Sequence, residues 1–303
     1  MLLPSDFYQR ASGERIRSHI QRLEGVRHPE TAPASLEGAA DYLAATLAAL
    51  RCDVSEHIFD DSGRPFRNII GTLAGRGKTD ERVIVMAHYD TVAESPGADD
   101  NASGVAVMLE AATLLAPLQF ERSIHFIGVS LEENAIPGEH GTGTRGSAAL
   151  AGHARHNDWA IEGVVVLESV AYAGTDCTQA KPAGYPEDVR ETGDFIAIIG
   201  NQRSADLVAL LADLMSKTEC PLPHVPLLVP GNGEMLPDSR RSDHAPFWDA
   251  GYRAVMLTDT ANFRNPHYHR SSDTLDTLNL EFSLKVCCAT CACLAAIAGD
   301  VPA

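Results

Sequence analysis

Histidines at 88 and 269 and carboxylates at 90, 99, 100, 132, 133 and 168 are the ligand types that borderline and hard divalent cations accept, with no cysteine among them. They occur in clusters, His88-Tyr-Asp90, Asp99-Asp100-Asn101, Glu132-Glu133, Glu168 and His269, in an order that suits a two-metal hydrolase. His88 and Asp90 alternate, so both can point to one face of a strand end, and Asp90 is placed to accept the second ring N–H of a ligating His88. Two adjacent carboxylates must diverge. One of Glu132 and Glu133 can bind metal while the other takes a proton from water; the plain alternative is a solvated pair at a strand end. Asp100 precedes a helix and reads either as an N-cap or as a ligand, with His88 favouring the ligand. Glu168 directly follows Val-Val-Val-Leu, where a carboxylate is costly to bury unless it is paired or bound to a cation. His267 and His269 share one loop, and composition alone leaves both as candidates.

Each cluster follows a valine- and isoleucine-rich run: residues 82–86 lead to His88, 123–129 to Glu132 and 163–167 to Glu168. Such runs read as buried strands of an α/β sheet covered by helices on both faces. The crevice at the carboxyl ends of such strands is where ligands bind, so separate strands would deliver these side chains to one edge. Periodicity predicts further strands at 52–59 and 67–73, as a hairpin around 60–63, and at 195–199 and 253–258. It predicts helices over 13–23, from Ser35 onward, and over 105–115, 147–154, 204–217 and 284–298, with Pro29 and Pro33 separating the first two. Residues 171–194 and 221–237 read as long loops, the pocket walls are expected from the loops at 134–146, 171–194 and 221–241, and the segment after Glu133, with Pro137, Gly138, Gly141 and Gly143, is long enough to move.

A chain of 303 residues, 45% hydrophobic, can bury a sizeable core. We read residues 1–303 as one catalytic domain with 1–75 integral to it. The net charge of −17, from 24 Lys plus Arg against 41 Asp plus Glu, argues against nucleic acid or an anionic membrane as partner. It would draw in cationic groups, a free α-amine included, although solubility alone explains an acidic surface. No apolar stretch is expected to reach the roughly 20 residues that span a bilayer. The amino terminus lacks a basic region followed by an apolar block, and unpaired thiols fit a reducing compartment. A cytoplasmic location is therefore expected, with secretion after trimming as the alternative. Cys287, Cys288, Cys291 and Cys293 crowd one apolar helix without a second cysteine pair nearby, so they are expected to pack as small apolar groups rather than bind zinc.

Taken together the motifs resemble those of the co-catalytic dizinc aminopeptidases, zinc exopeptidases whose relatives include glutaminyl cyclase. The matching segments are His88-Tyr-Asp90, Gly97-Ala-Asp-Asp100-Asn-Ala-Ser-Gly104, Glu132-Glu133, Ser242-Asp-His-Ala-Pro-Phe247, and Tyr268-His269 with Asp273-Thr274. Each is weak alone; the combination in order is specific. The resemblance implies a three-layer α/β/α sandwich with a central mixed, mostly parallel sheet of about eight strands. It implies that His88, Asp100 and Glu168 hold one zinc and that Asp100, Glu133 and His269 hold the other, with Asp100 and a water or hydroxide bridging. It makes Glu132 the general base, Asp90 the partner behind His88, Tyr268 the donor to the developing oxyanion and Asp243 a polar residue near the substrate. It also implies a cis peptide at Asp100–Asn101. Two dications against three ligand carboxylates and one hydroxide sum to zero, which a buried site can tolerate. One departure stands out: Glu168 occupies a position that is more often aspartate in secreted aminopeptidases and glutamate in deacylating relatives and glutaminyl cyclase.

The expected activity is hydrolysis of the amino-terminal peptide bond of a peptide or amino-acid amide, with Glu132 and Glu168 at the site edge holding the free amine. A glutaminyl-cyclase-like acyltransferase with a single zinc is the first alternative. A deacylase or carboxypeptidase of the two-domain metallopeptidases is disfavoured, because its inserted domain of about 100 residues has no room between the fourth and fifth ligands. A receptor-type homologue that lost its metals is disfavoured because every ligand position holds a competent residue.

Overall fold

The valine- and isoleucine-rich runs form the middle of one eight-stranded sheet. The structure is a computed structural model that describes residues 2–77, 80–135, 141–182, 184, 190–217 and 221–299. Its strands are β1 (Asp53–Asp61), β2 (Arg64–Leu73), β3 (Arg82–His88), β4 (Ser123–Val129), β5 (Ile161–Glu168), β6 (Ile196–Asn201), β7 (His224–Val229) and β8 (Ala254–Thr258). They are ordered β1-β2-β4-β3-β5-β8-β6-β7. The pairs β3/β4, β3/β5, β5/β8 and β6/β7 are parallel, and β1/β2, β2/β4 and β6/β8 are antiparallel. The sheet is thus mixed, with its parallel centre carrying the site.

The period-two alternation of β3 shows why there are three layers. Val83, Val85 and Ala87 join a core with α2 (Gly13–Leu23), α3 (Pro33–Ala49), α4 (Gly104–Leu115), α6 (Ala205–Ser216) and α8 (Leu280–Ala298). Ile84 and Met86 pack on the other face with α5 (Arg145–His156) and α7 (His244–Asp249) through Leu150, Ala151, Phe247 and Trp248. Val165 and Leu167 of β5 face the first layer and Val164 and Val166 the second. The buried Glu110 of α4 is matched by Arg15, whose Nε and Nη2 each donate at 2.7 Å, and by the Ser12 amide at 2.8 Å. A carboxylate in this core is tolerable only because its charge and lone pairs are both met.

Several elements differ from the pattern read in sequence. The second long helix starts at Pro33 rather than Ser35, because proline in the first helical turn loses no intrahelical bond and separates helices only by starting one. The short α1 (Pro4–Tyr8) carries too few residues to show a period. The proline-rich 221–237 stretch contains β7; Pro226 is compatible with a strand there because β7 is an edge, paired only with β6. α8 is, against expectation, long and apolar enough by length and composition to cross a membrane, but 72% of its apolar window is buried inside the fold. Its cysteines serve that packing: Cys287, Cys288, Cys291 and Cys293 are all buried, and burial pushes the Cys293 thiol up to about 12.

Candidate metal centre

The parallel strands β3 and β5 end at His88 and Glu168, and β4 ends just before Glu132 and Glu133, so three neighbouring strands present four of the expected side chains at one edge. Asp100 comes from the turn Ala98–Ser103 that leads into α4, and His269 from the loop after β8. Asp100 is not an N-cap, since its carboxylate faces the two imidazoles. His88 Nε2 lies 3.2 Å from Asp100 Oδ1 and 3.5 Å from Glu168 Oε2. His269 Nε2 lies 3.1 Å from Asp100 Oδ2 and 3.2 Å from Glu133 Oε2. Two three-residue groups therefore form, His88–Asp100–Glu168 and Asp100–Glu133–His269, sharing the two oxygens of one carboxylate. His267 points elsewhere, with Nδ1 2.9 Å from the Ser272 hydroxyl.

The residues present fit zinc. Four ligands at roughly 2.0–2.1 Å around a tetrahedral ion stand about 3.3 Å apart, and the four ligand-to-ligand distances above, 3.1 to 3.5 Å, bracket that edge. Among the described residues both Nε2 atoms and Glu133 Oε1 are buried without a hydrogen-bond partner, as atoms aimed at a cation would be. The electrostatics agree. Burial disfavours a charged His269, yet Glu133 and Asp100 outweigh it and push the imidazole up to about 10. Burial is likewise outweighed at His88, by Glu168, Asp100 and Asp90. Asp100, despite burial, is held far below the ordinary carboxyl range by the two imidazoles. A pocket that grips protons this firmly on its imidazoles carries the negative potential that would hold dications.

Surrounding contacts fix these side chains. The Asp90 carboxylate accepts the amides of Glu132 and Glu133, each at 3.1 Å. Its oxygen is 3.5 Å from His88 Nδ1, whereas the Asp90 carbonyl oxygen is 3.2 Å away and is the nearer acceptor of that ring N–H. Asp90 thus does more than was read from sequence: its main duty is to clamp the Glu132-Glu133 turn. Leu131 (φ 60°), Ser169 (φ 48°) and His269 (φ 58°) hold left-handed backbone at or beside ligand positions. That conformation costs a non-glycine residue roughly 1–2 kcal/mol and persists where the surroundings over-determine it. The Asp100–Asn101 peptide is cis, as the resemblance implied.

Several positioning residues were missed in the sequence. Asp273 accepts the amides of Asp99 at 2.9 Å and Asp100 at 3.2 Å. Asn101 donates to the Leu167 carbonyl at 2.8 Å and accepts the amides of Gly104 and Ser169 at 3.1 Å, tying the Asp100 turn to the end of β5. Ser242 Oγ donates to Glu168 Oε2 at 2.7 Å. Arg27, fully inside, gives its guanidinium to the carbonyls of Leu23, Gly25, Tyr89, Pro96 and Gly97 and, among the described residues, to no carboxylate. Asp273, Asn101 and Ser242 lie inside matching motifs and so carried a signal; Arg27 lies outside them and carried none. Glycine is required at two of the motif positions. At Gly97 (φ 60°) a Cβ would stand 2.3 Å from the Asp100 carbonyl oxygen, and at Gly104 2.3 Å from Asn101 Oδ1 and 2.7 Å from the Leu167 carbonyl oxygen.

Glu132 is half-buried beside the ligand groups. Burial raises its carboxyl well above the ordinary range, Glu168, Glu133 and Asp243 add to the rise, and His88 opposes it. Asp243 is fully buried, and burial pushes its carboxyl up to about 7 against His88 and the Ser147 hydroxyl. Tyr268 stacks on the His269 ring at 3.8 Å with 15° between planes. A cavity of about 550 Å³, open to solvent, runs beside Glu168 and Tyr268. Ile199, Met256 and Phe263 give it apolar wall; Asp238, Arg241 and Asn262 give it polar edge. The expected wall loops supply Pro182, Asp238, Ser239 and Arg241, while β6, β8 and residues 260–263 supply walls that the sequence did not indicate. Of the third expected wall, Pro137 and Gly138 lie outside the described residues.

A family model described as Peptidase family M28 matches residues 68–292. The chain belongs to peptidase family M28. It is 30% identical over 289 residues to the uncharacterized protein YfbL of Escherichia coli K12, covering 89% of this chain and 84% of that one. It is 27% identical to a probable zinc metalloprotease of Pyricularia oryzae, covering 88% of this chain but only 59% of that protein. Family and relatives together make it a zinc metallopeptidase. Among solved structures, the Legionella pneumophila LapA aminopeptidase superposes with a TM-score of 0.77 at 19% identity, over 99% of this chain and 74% of that one. The glutaminyl cyclase of Macrostomum lignano gives 0.74 at 19% identity over 99% and 94%. At such identities the likeness is one of fold, and it matches the mixed eight-stranded sandwich expected from sequence.

Proposed function

We propose that this M28 member is an aminopeptidase with two zinc ions, hydrolysing the amino-terminal peptide bond of peptides or amino-acid amides. The observation that carries the reading is the sharing of one carboxylate: Asp100 turns Oδ1 to the His88–Glu168 group and Oδ2 to the His269–Glu133 group, so both ligand sets are complete at once. Zinc there would act as a Lewis acid on the scissile carbonyl and on the attacking water. Glu132, in neither ligand set, takes the proton of that water and returns it to the departing amine. Its raised carboxyl pKa is the direction a base acting near neutral pH requires. The Tyr268 hydroxyl, at the cavity edge beside Glu168, donates a hydrogen bond to the carbonyl oxygen as negative charge develops on it. The free α-amine meets Glu132 and Glu168, and the first side chain enters the cavity walled by Ile199, Met256 and Phe263. With a net charge of −17 the protein favours such cationic substrates over nucleic acid or anionic membrane.

Glu132→Gln tests the base directly. The variant keeps the zinc content of the parent while kcat falls by about 10²–10⁴-fold; turnover retained at the parental level would refute the assignment. A glutaminyl-cyclase-like reading uses the same scaffold with one ion, and the completeness of the His88–Asp100–Glu168 set argues against it. Cyclisation of an amino-terminal glutamine by a one-zinc preparation, without peptide hydrolysis, would reverse that preference.

A further inference from the structure

We propose that Arg241 is a positioning residue for this reaction: it holds the Tyr268 phenol by its oxygen, so that the hydroxyl proton is aimed at the substrate carbonyl. The inference rests on the reading of Tyr268 as the oxyanion donor. Arg241 follows the turn Pro237–Arg240 and lines the same cavity as Tyr268 and Glu168. Its Nη2 donates to Tyr268 Oη at 3.3 Å. Its Nη1 donates to Asn262 Oδ1 at 3.0 Å and Asp238 Oδ1 at 3.3 Å, which orient the guanidinium and balance its charge.

A guanidinium has donors and no acceptor. The phenol oxygen must therefore be the acceptor in this contact, and the phenol proton cannot be spent on Arg241. The ring is constrained from its other side by the stack on His269. With the ring held by a metal-ligand side chain and the oxygen by a cation, the remaining freedom is rotation about the C–O bond, and the proton's favourable directions lie away from Arg241. At 3.3 Å the contact is at the long end of the N–H···O range, so its loss should cost far less than the loss of the hydroxyl itself.

A double-mutant cycle tests this on zinc-loaded protein, using leucine p-nitroanilide for kcat and KM and the phosphonic acid analogue of leucine for calorimetric binding. Tyr268→Phe should lower kcat by about 10²–10³-fold. Arg241→Met should lower kcat by about tenfold with KM little changed, and Arg241→Lys should recover part of the loss, in keeping with one modest hydrogen bond. In the Tyr268→Phe background, Arg241→Met should change kcat less than twofold, because its route of action is gone. An equal tenfold loss in both backgrounds overturns the proposal, as does a Tyr268→Phe variant with parental kcat; the latter leaves the metal-centre reading standing. If the parent does not turn over leucine p-nitroanilide, the aminopeptidase reading fails, and the phosphonic acid decides separately. Weaker binding in Arg241→Met, absent in the Tyr268→Phe background, supports the Arg241–Tyr268 link; equal loss in both, or no loss, overturns it. Arg241→Ala completes the same cycle should Arg241→Met not fold.

Discussion

Replacing Asp90 by asparagine should damage the centre without touching a ligand. In the folded protein the carboxylate is buried and receives the Glu132 and Glu133 amides, one on each oxygen. Asparagine has the same shape but one acceptor oxygen, so whichever way it turns, an NH2 group meets one of the two amides donor to donor. A buried amide left without its partner costs about 1–3 kcal/mol, and the surviving bond loses the extra strength of a charged acceptor. The negative charge near His88 Nδ1, 3.5 Å away, is lost too; second-neighbour changes of this kind cost about 10–100-fold in metal affinity or activity. The two estimates overlap at about 10–100-fold, since 1.4 kcal/mol is a factor of ten. Zinc affinity measured by competition with a chromogenic chelator, alongside kcat on leucine p-nitroanilide and a urea midpoint for overall folding, separates local from global damage. Wild-type zinc affinity together with wild-type kcat in Asp90→Asn would show that the clamp on Glu132-Glu133 is not what shapes the site.

Two further outcomes follow from groups away from the reacting atoms. His125 is buried beside Arg82, and burial first, then that charge, lowers its imidazole to about 4. Between the unfolded value near 6.5 and about 4 the unfolded chain binds the proton and the folded one does not, so stability is full above this window and falls as pH drops through it, by about 2 kcal/mol from pH 7 to pH 5. Urea midpoints of metal-free protein should show this loss in the parent and a smaller one in His125→Gln; equal losses would remove His125 from the explanation. Gly104→Ala sets a methyl group 2.3 Å from Asn101 Oδ1 and 2.7 Å from the Leu167 carbonyl. Overpacking of that kind costs about 1–3 kcal/mol, and the urea midpoint should fall accordingly; an unchanged midpoint would mean that the Asn101 bracket yields easily.

The candidate ligands were legible in the sequence because chemistry forces their types and because His88, Glu133 and Glu168 follow apolar strands. Val-Val-Val-Leu-Glu at 164–168 has few readings other than a buried strand delivering a carboxylate to a cation, and β5 ends there. The choice of His269 over His267 came from resemblance, and the structure puts His269 Nε2 3.1 Å from Asp100 and 3.2 Å from Glu133. What the sequence could not show are contacts set by tertiary approach. Arg27 looks like a solvated charge and lies buried among main-chain carbonyls. Arg241, next to a matching motif, gains its meaning only when the loop carrying Tyr268 folds against it. β7 was hidden by Pro226 and the prolines flanking the strand, since an edge strand with one neighbour tolerates what a central strand would not. The apolar content of α8 gave the helix but not its setting, because a buried helix and a membrane-crossing one share that composition.

The most direct measurement is anomalous diffraction at the zinc edge from crystals of the zinc-loaded protein. Two peaks are expected about 3.5–4 Å apart, one beside His88 Nε2 and Glu168, the other beside His269 Nε2 and Glu133, with one Asp100 oxygen directed at each. A single peak at saturating zinc, or ions that leave the Asp100 carboxylate unshared, would contradict the proposed centre.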